Sequence, residues 1–259
     1  MIPWLVVTLL GLTVGSFLNV VIWRVPRQES ILLPGSHCPH CGNQLAPRDL
    51  VPVVSYIVNR GRCRYCATLI NWEYPVVELL TMALWLFLFH NFRFQTQFWV
   101  FAVFFALLIV LSFIDLHHGI LPNAITFPGI AAGLLWGAAN DLWKLVGSYP
   151  VHLLYNLGAY VSPFSLQSAI IGVIVGGGVV WLVVLLSKGG MGMGDVKLNA
   201  MIGAFLGWKA GFYNLFLAAV LGSVVGIFLL ATGKKKRQDS ISFGPYLALG
   251  AMILTLYRG

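Results

Sequence analysis

Charge is what this chain has least of. Of its 259 residues only 16 are Lys or Arg and 8 are Asp or Glu, so 9% are charged, where an average soluble domain carries about 25%. With 59% hydrophobic residues, it cannot cover a water-facing surface, which needs roughly 25–35% charged side chains. A soluble enzyme and a disordered tail are excluded. Cysteine is also scarce, at 4, and confined to one polar stretch, which excludes a disulfide-dense secreted scaffold. No basic residue precedes the apolar run 2–22, and the first, Arg24, follows it. The run therefore reads as a retained first span and not a cleavable signal peptide. No internal repeat or low-complexity tract is visible. What remains is an integral membrane protein.

A transmembrane helix needs about 20 mostly apolar residues. Apolar segments lie at 2–23, 74–92, 97–116, 119–138, 167–187, 197–209, 211–231 and 243–258. The stretch 198–231 would run about 51 Å as one helix, too long for a ~30 Å hydrocarbon core, and is expected to divide between Gly207 and Gly211. The expected fold is all-α and polytopic, with about eight transmembrane helices and a zinc-binding cytoplasmic loop subdomain. Its expected parts are a first helix (1–23), a four-cysteine zinc loop (24–73) and a membrane domain (74–259).

Basic residues set the expected orientation. With the first loop inside, the cytoplasmic side holds Arg24, Arg27, Arg48, Arg60, Arg62, Arg64, Lys188, Lys197, Lys234, Lys235, Lys236 and Arg237. The outside keeps Arg93, Lys144, Lys209 and Arg258. The imbalance satisfies the positive-inside rule and places both termini outside. It also accounts for the net charge of +8 without nucleic acid: the run 234–237 reads as a topology determinant touching lipid headgroups of the bilayer. The outer loop 139–166, with Trp143, Tyr149, Tyr155 and Tyr160, suits a segment lying at the interface.

The four cysteines form two knuckles, Cys38-Pro-His-Cys41 and Cys63-Arg-Tyr-Cys66, with 21 residues between them. Such a pair can place four thiolates tetrahedrally around one Zn²⁺. Two disulfides or a redox dithiol are the competing readings, and a reducing cytoplasmic location disfavours the disulfides. His37 and His40 are alternative ligands or plain loop residues. A closed site of four thiolates is structural, with no open position for chemistry.

Three acids fall in or beside the apolar segments: Glu78, Asp115 and Asp195. Acids there are costly and point to function. Asp115 closes the apolar run 98–114, where a carboxylate opposes the helix dipole; a solvated helix end is the plainer alternative. Residues 116–123, with Gly119 and Pro122, must break or re-enter. Asp195 follows Gly189, Gly190, Gly192 and Gly194, and a plain helix N-cap is its alternative reading. Lys197 would favour its ionised form if it lies nearby. No G-K-[ST] or G-x-G-x-x-G pattern is present. Both acids fall at cytoplasmic ends of spans. Two carboxylates brought together share a proton and can serve as base and acid in peptide hydrolysis.

Gly192-Met193-Gly194-Asp195 resembles the G-x-G-D motif of intramembrane aspartyl proteases. The chain is similar over its length to type IV prepilin peptidases, through Gly15-Ser16-Phe17-Leu18-Asn19-Val20, the four-cysteine loop, Tyr74-Pro75-Val76-Val77-Glu78, Asp115 with Leu121-Pro122, and Gly194-Asp195-Val196-Lys197-Leu198. It departs at Asn123, where many members carry Asp, and at Leu50, where Asn is frequent. The resemblance implies cleavage of the basic leader of prepilins and pseudopilins at the cytoplasmic face of the bacterial inner membrane. Methylation of the new N-terminal amine from S-adenosylmethionine would follow. It implies Asp115 and Asp195 as the catalytic pair, supported by Gly192, Gly194 and Lys197, with Cys38, Cys41, Cys63 and Cys66 as metal ligands. It associates the cysteine loop with the methyl-transfer half, whose donor-binding residues no motif reveals. Glu73 and Glu78 are candidates to contact the amine or donor, or Glu78 a buried hydrogen-bonding group.

Asn19 reads as a bond to a neighbouring helix, and Gly11/Gly15, Gly172/Gly176 and Gly222/Gly226 as close helix packing. His117 and His118 read as a solvated turn, or as tuning groups for Asp115. A transporter with broken helices and a non-catalytic zinc-bearing assembly subunit are the rival classes.

Overall fold

The computed structural model describes residues 1–145, 165–186, 191–234 and 241–256. Among them there is no β-strand, and eight α-helices carry the chain: α1 (Ile2–Arg24), α2 (Val54–Val58), α3 (Glu73–Phe92), α4 (Thr96–His118), α5 (Asn123–Leu145), α6 (Leu166–Leu186), α7 (Met193–Ala231) and α8 (Gly244–Leu256). Each expected apolar segment lies mainly in one of them. Five (α1 and the turn after it, α3, α4, α6 and α7) are long and apolar enough to cross a membrane. Helix α2 lies in the polar loop, α5 is diluted by polar residues and Pro128, and α8 has 13 residues. The protein is therefore a multi-pass membrane protein with about five full-length spans.

The expected division of 198–231 falls inside α7, which is two helices joined at a kink. Gly207 has φ 80° and ψ 171°, a conformation only glycine adopts without strain. Asn199 and Asn214, both fully buried, brace the bend. The Asn199 Nδ2 donates to the carbonyls of Gly176 (2.9 Å) and Gly211 (3.3 Å), and the Asn214 Nδ2 donates to Asn199 Oδ1 (3.1 Å). Helix α6 packs against α7 through Gly172 and Gly203, where a β-carbon on either would run into the other's backbone. The expected Gly172/Gly176 close packing is seen here, since a β-carbon on Gly176 would come 2.7 Å from the Asn199 carbonyl oxygen. Gly222 faces Tyr246 of α8 more loosely, at 3.3 Å.

Two compact units divide the chain, Met1–Val110 and Leu111–Gly259. In the first, α1 lies along α3 with Gly11 over Met82 and Gly15 over Glu78. A β-carbon would fall 2.8 and 2.6 Å from those α-carbons, so only a bare backbone permits this approach. Asn19 plays its expected part: its Nδ2 donates to the Tyr74 carbonyl at the head of α3, 3.1 Å away. In the second unit the turn expected across 116–123 is confined to Gly119 through Pro122. The α5 helix starts at Asn123, later than the expected 119, and runs through the expected outer loop as far as Leu145. Its Asp141 then accepts the Leu166 N–H (2.7 Å), capping α6. Tyr149, Tyr155, Tyr160, Lys188, Gly189, Gly190, Lys235, Lys236, Arg237 and Arg258 lie outside the described residues.

Candidate active site and metal centre

The second unit brings the two predicted acids together. Asp115 stands in the last turn of α4, 6% exposed, and Asp195 in the first turn of α7, 7% exposed. Two contacts pin these ends. Gly194 packs on Leu121, where a β-carbon would come 3.0 Å from the leucine Cβ, and the Lys197 Nζ donates to Asn123 Oδ1 at 2.7 Å. The same two contacts set the helix ends that carry the carboxylates beside one another. Their helical settings differ. The Asp195 carboxylate turns back to accept the N–H of Gly192 (3.2 Å), at a helix start whose dipole favours negative charge. Gly192 is the N-cap, so Asp195 is not itself the cap.

Asp115 sits where the dipole opposes a carboxylate, and its support comes from elsewhere. The N–H of Gly244, at the head of α8, donates to Asp115 Oδ2 (3.0 Å), and the Ser242 hydroxyl donates to the Asp115 carbonyl (2.9 Å). A β-carbon on Gly244 would come 2.7 Å from that carboxylate oxygen. The segment Ser242-Phe243-Gly244-Pro245 is part of this site that sequence reasoning missed. Its only signal is a Gly-Pro pair at the start of an apolar run.

The glycines of the motif divide by role. Neither Gly192 nor Gly194 has positive φ; Gly194 is needed for the approach of Leu121, while a β-carbon on Gly192 would make only ordinary contact, 3.7 Å from Asp195 Oδ2. Among the described residues Lys197 makes no ion pair with Asp195 and leans over the Phe127 ring (5.7 Å). His117 and His118 are exposed on the final turn of α4, as expected of a solvated turn. Gly119, with φ +63°, ends that helix by donating its N–H to the Asp115 carbonyl (2.8 Å).

In the first unit the four cysteines converge, with their sulfur atoms within 4.8 Å of one another and no disulfide among them. Each knuckle is built alike. Cys38 accepts the N–H of Gly42 and donates its own N–H to Asn43, while Cys63 accepts from Ala67 and donates to Thr68, all at 2.8–2.9 Å. Gly42 and Ala67 both take left-handed φ, 71° and 58°. One-residue bridges, His37 with Gln44 and Arg62 with Leu69, close the two turns at the same offset. The loop thus contains a short structural repeat displaced by 25 residues (Cys38 to Cys63). The sequence shows only the paired cysteines, because the other positions differ. The side-chain and backbone donors of Thr68 draw the Cys66 thiol down to about 6, favouring the thiolate that a metal requires. His37 points its Nδ1 at the Gly35 carbonyl (3.2 Å) and, like His40, lies outside the metal-capable cluster.

Three further residues order this loop. Arg24, 6% exposed at the end of α1, donates to the carbonyls of Ser30 (2.9 Å) and Pro34 (2.7 Å). Asp49 pairs with Arg64 (2.8 Å) and accepts the Tyr65 hydroxyl (2.9 Å). The buried Glu78 accepts the Val53 N–H (2.8 Å), holding Val53 at φ 61°, a costly conformation for a β-branched residue. Glu78 is thus the hydrogen-bonding group that was one of its two expected roles, and it also lines a cavity.

A membrane chain that is helical among the described residues, with two buried acids at neighbouring helix ends, suits an intramembrane hydrolase, and comparison with known proteins identifies the family. Residues 9–92 match the bacterial Peptidase A24 N-terminal domain, and residues 102–227 match the type IV leader peptidase family. The chain is 35% identical to the prepilin leader peptidase/N-methyltransferase of Burkholderia pseudomallei, with 96% of this chain and 84% of that protein covered. It is 34% identical to the like-named protein of Aeromonas hydrophila, with 99% and 92% covered, and 40% identical to that of Myxococcus xanthus, with 87% and 63% covered. No solved structure matches. This chain belongs to the type IV leader peptidase family, which sets aside the transporter and assembly-subunit readings.

Proposed function

We propose that this chain removes the basic leader from type IV prepilins and pseudopilins and then N-methylates the residue so exposed, with Asp115 and Asp195 as the catalytic pair. Family membership and similarity to prepilin leader peptidase/N-methyltransferases over nearly the whole chain support both reactions. The observation that carries the assignment is a pair of buried carboxylates at the end of α4 and the start of α7, helix ends that the Gly194–Leu121 and Lys197–Asn123 contacts draw together. Two acids brought together there share a proton. The ionised partner takes a proton from water as it attacks the scissile carbonyl, and the protonated partner gives one to the departing amine. Gly244 orients Asp115 and Gly192 orients Asp195 by N–H donation. Gly194 and Lys197 hold the α7 start on the α4–α5 turn. The positive-inside imbalance supports a cytoplasmic side for this site and the cysteine loop, and similarity to bacterial relatives supports an inner-membrane setting.

Cys38, Cys41, Cys63 and Cys66 hold one structural Zn²⁺. Sulfurs 2.3 Å from a tetrahedral ion lie about 3.8 Å apart, which the cluster accommodates within its 4.8 Å span. S-adenosylmethionine supplies the methyl group of the second reaction. By role, the chain divides into a first helix (1–23), a metal-bearing loop (24–73) and a membrane peptidase domain (74–259).

The test uses purified protein in lipid with a synthetic prepilin, comparing wild type with Asp115→Asn and Asp195→Asn. Both variants lose cleavage by at least about a thousandfold, and both still methylate a pre-cleaved pilin. Cleavage at the wild-type rate by either variant overturns the pair.

A further inference from the structure

Helix α8 has 13 residues, too few at 1.5 Å each to cross a hydrocarbon core of about 30 Å. The thickness of the bilayer therefore does not fix how far along its neighbours α8 sits. Yet its head carries both groups that hold Asp115 from outside α4, the Gly244 N–H and the Ser242 hydroxyl. Something else must set its register.

The neighbour that does so is the part of α7 beyond Gly207. Gly250 stands over Asn214, Phe243 and Tyr246 stand over Gly222, and Ile241 stands over Gly226, so the two helices run antiparallel. At the far end a β-carbon on Gly250 would come 2.5 Å from Asn214 Oδ1. That oxygen accepts no hydrogen bond among the described residues, and its side chain is tied to Asn199. Near the active site the rings of Phe243 and Tyr246, 6.4 Å apart, lie on Gly222. A β-carbon there would come 3.3 Å from the Tyr246 ring and 3.6 Å from the Phe243 ring. Gly172 and Gly203 let two backbones touch; Gly222 instead leaves a gap that two aromatic rings fill.

We infer that Gly222 is a positioning residue for leader cleavage: it seats Phe243 and Tyr246, and this seat sets the height at which Gly244 meets the Asp115 carboxylate. The inference rests on the assignment of Asp115 to the catalytic pair. Gly222 acts through the two rings, which are its nearest neighbours.

The rings and the donor move as one body. The Phe243 carbonyl accepts the N–H groups of Tyr246 (3.1 Å) and Leu247 (3.2 Å), so Phe243 belongs to the first turn of α8. The next residue is Gly244, whose N–H reaches Asp115 Oδ2 at 3.0 Å. An N–H···O bond holds only to about 3.2 Å. A slide of α8 by the rise of one residue, about 1.5 Å, breaks it. A branched side chain on Gly222 lifts the rings off α7 and carries Gly244 with them.

The experiment measures kcat and KM for a synthetic prepilin with the full chain in nanodiscs, alongside thermal unfolding. Gly222→Val is expected to lower kcat at least about tenfold with KM within about twofold of wild type, as misplacement of a catalytic group does. Gly178→Val puts the same side chain on α6, where a β-carbon meets nothing within 4 Å, and cleaves like wild type. Tyr246→Ala removes the obstructing ring. Combined with Gly222→Val, it brings kcat back to within about threefold of Tyr246→Ala alone, the non-additivity expected of residues in contact. A glycine needed only for folding would lower the unfolding temperature and would not be rescued at Tyr246. If Gly222→Val does not fold, Gly222→Ala carries the test, with a loss of at least about twofold in kcat that Tyr246→Ala again relieves. Wild-type kcat in the variant that folds, or a loss that Tyr246→Ala leaves unchanged, overturns the role of Gly222. Asp115→Asn is assayed in parallel: if it cleaves at the wild-type rate, the catalytic pair fails and this inference with it. If it is inactive while Gly222→Val cleaves normally, only the inference falls.

Discussion

The N–H of Gly244 donates to Asp115 Oδ2 across 129 positions of sequence, at 3.0 Å. This bond supplies the helix-start donor that Asp115 lacks at the end of its own helix, where α4 offers only carbonyls. The glycine is required because a β-carbon would stand 2.7 Å from the carboxylate oxygen. Gly244→Ala is therefore expected to push the carboxylate aside and lower leader cleavage by at least about tenfold, a 1 Å misplacement being enough for larger losses. Kinetics on synthetic prepilin, with methylation of pre-cleaved pilin as the control for folding, would show it. Unchanged kcat in the variant refutes the role given to Gly244.

Lys197 supports the site through Asn123 rather than by pairing with Asp195. Lys197→Met should cost cleavage a few-fold by loosening the α4–α5 turn, without moving the pH profile. Asn123→Asp, which turns the same contact into an ion pair, should keep cleavage within about twofold and raise thermal stability slightly. A shift of the pH optimum in Lys197→Met would mean that the ammonium acts on the carboxylate pair directly.

Much of this was legible in sequence, for definite reasons. Asp115 and Asp195 stand out because a carboxylate beside an apolar run is costly, and the bend in α7 follows from a length that no bilayer accommodates. The cysteine pairs point by spacing to the metal-capable cluster that the structure assembles. Gly244, Ser242 and the Glu78–Val53 bond did not show, since each depends on a contact far away in the chain and uses backbone groups that every residue carries. Gly194 was legible as special only as part of a glycine-rich approach to Asp195. Its φ is ordinary, and its lack of a side chain serves the approach of Leu121. The length of α5 was misjudged because Trp143, with Tyr149, Tyr155 and Tyr160, read as an interfacial loop over 139–166, whereas α5 runs to Leu145.

Removing the metal should separate the two halves of the enzyme. Cys38→Ser and Cys63→Ser, or a strong chelator, are expected to abolish bound zinc, which elemental analysis should find at one ion per wild-type chain. Protease sensitivity should rise within 24–72, because such a site contributes folding energy to a loop that has little core of its own. Methylation should fall with the metal while leader cleavage persists. Full zinc content in the double variant would show that other residues hold the ion.

The Asp49 cluster sets an acid limit for the same loop. Burial works against the Asp49 charge, but the Tyr65 hydroxyl, the Ala46 N–H and the Arg64 guanidinium outweigh it and hold the carboxyl below its usual value. A depressed folded value stabilises the loop at every pH above the unfolded value of about 3.9 and is lost as pH falls through the folded one. Limited proteolysis of 24–72 should therefore be flat between about pH 6 and 8 for this interaction. Asp49→Asn should make the loop more sensitive throughout that range, and an equal pattern in variant and wild type would deny the cluster a role.

The bend in α7 gives a stability prediction of a different kind. Asn199 satisfies two buried carbonyls, those of Gly176 and Gly211, and takes the amide of Asn214. Asn199→Ala leaves the Asn214 amide without its acceptor in a fully buried place, at about 1–3 kcal/mol, and takes a donor from two helix carbonyls. Neighbouring waters cannot relieve the loss if the site excludes them, so thermal unfolding in detergent should shift down by several degrees. The bend itself has a separate cause in the φ of Gly207, where any β-carbon is strained. Gly207→Ala should therefore destabilise independently, and the two effects should add to within about 0.5 kcal/mol only if the network and the backbone conformation are uncoupled. Coupling is expected, because Gly211, which accepts from Asn199, lies one turn beyond the bend. A strictly additive double variant would show that the amides brace the helices without holding the bend.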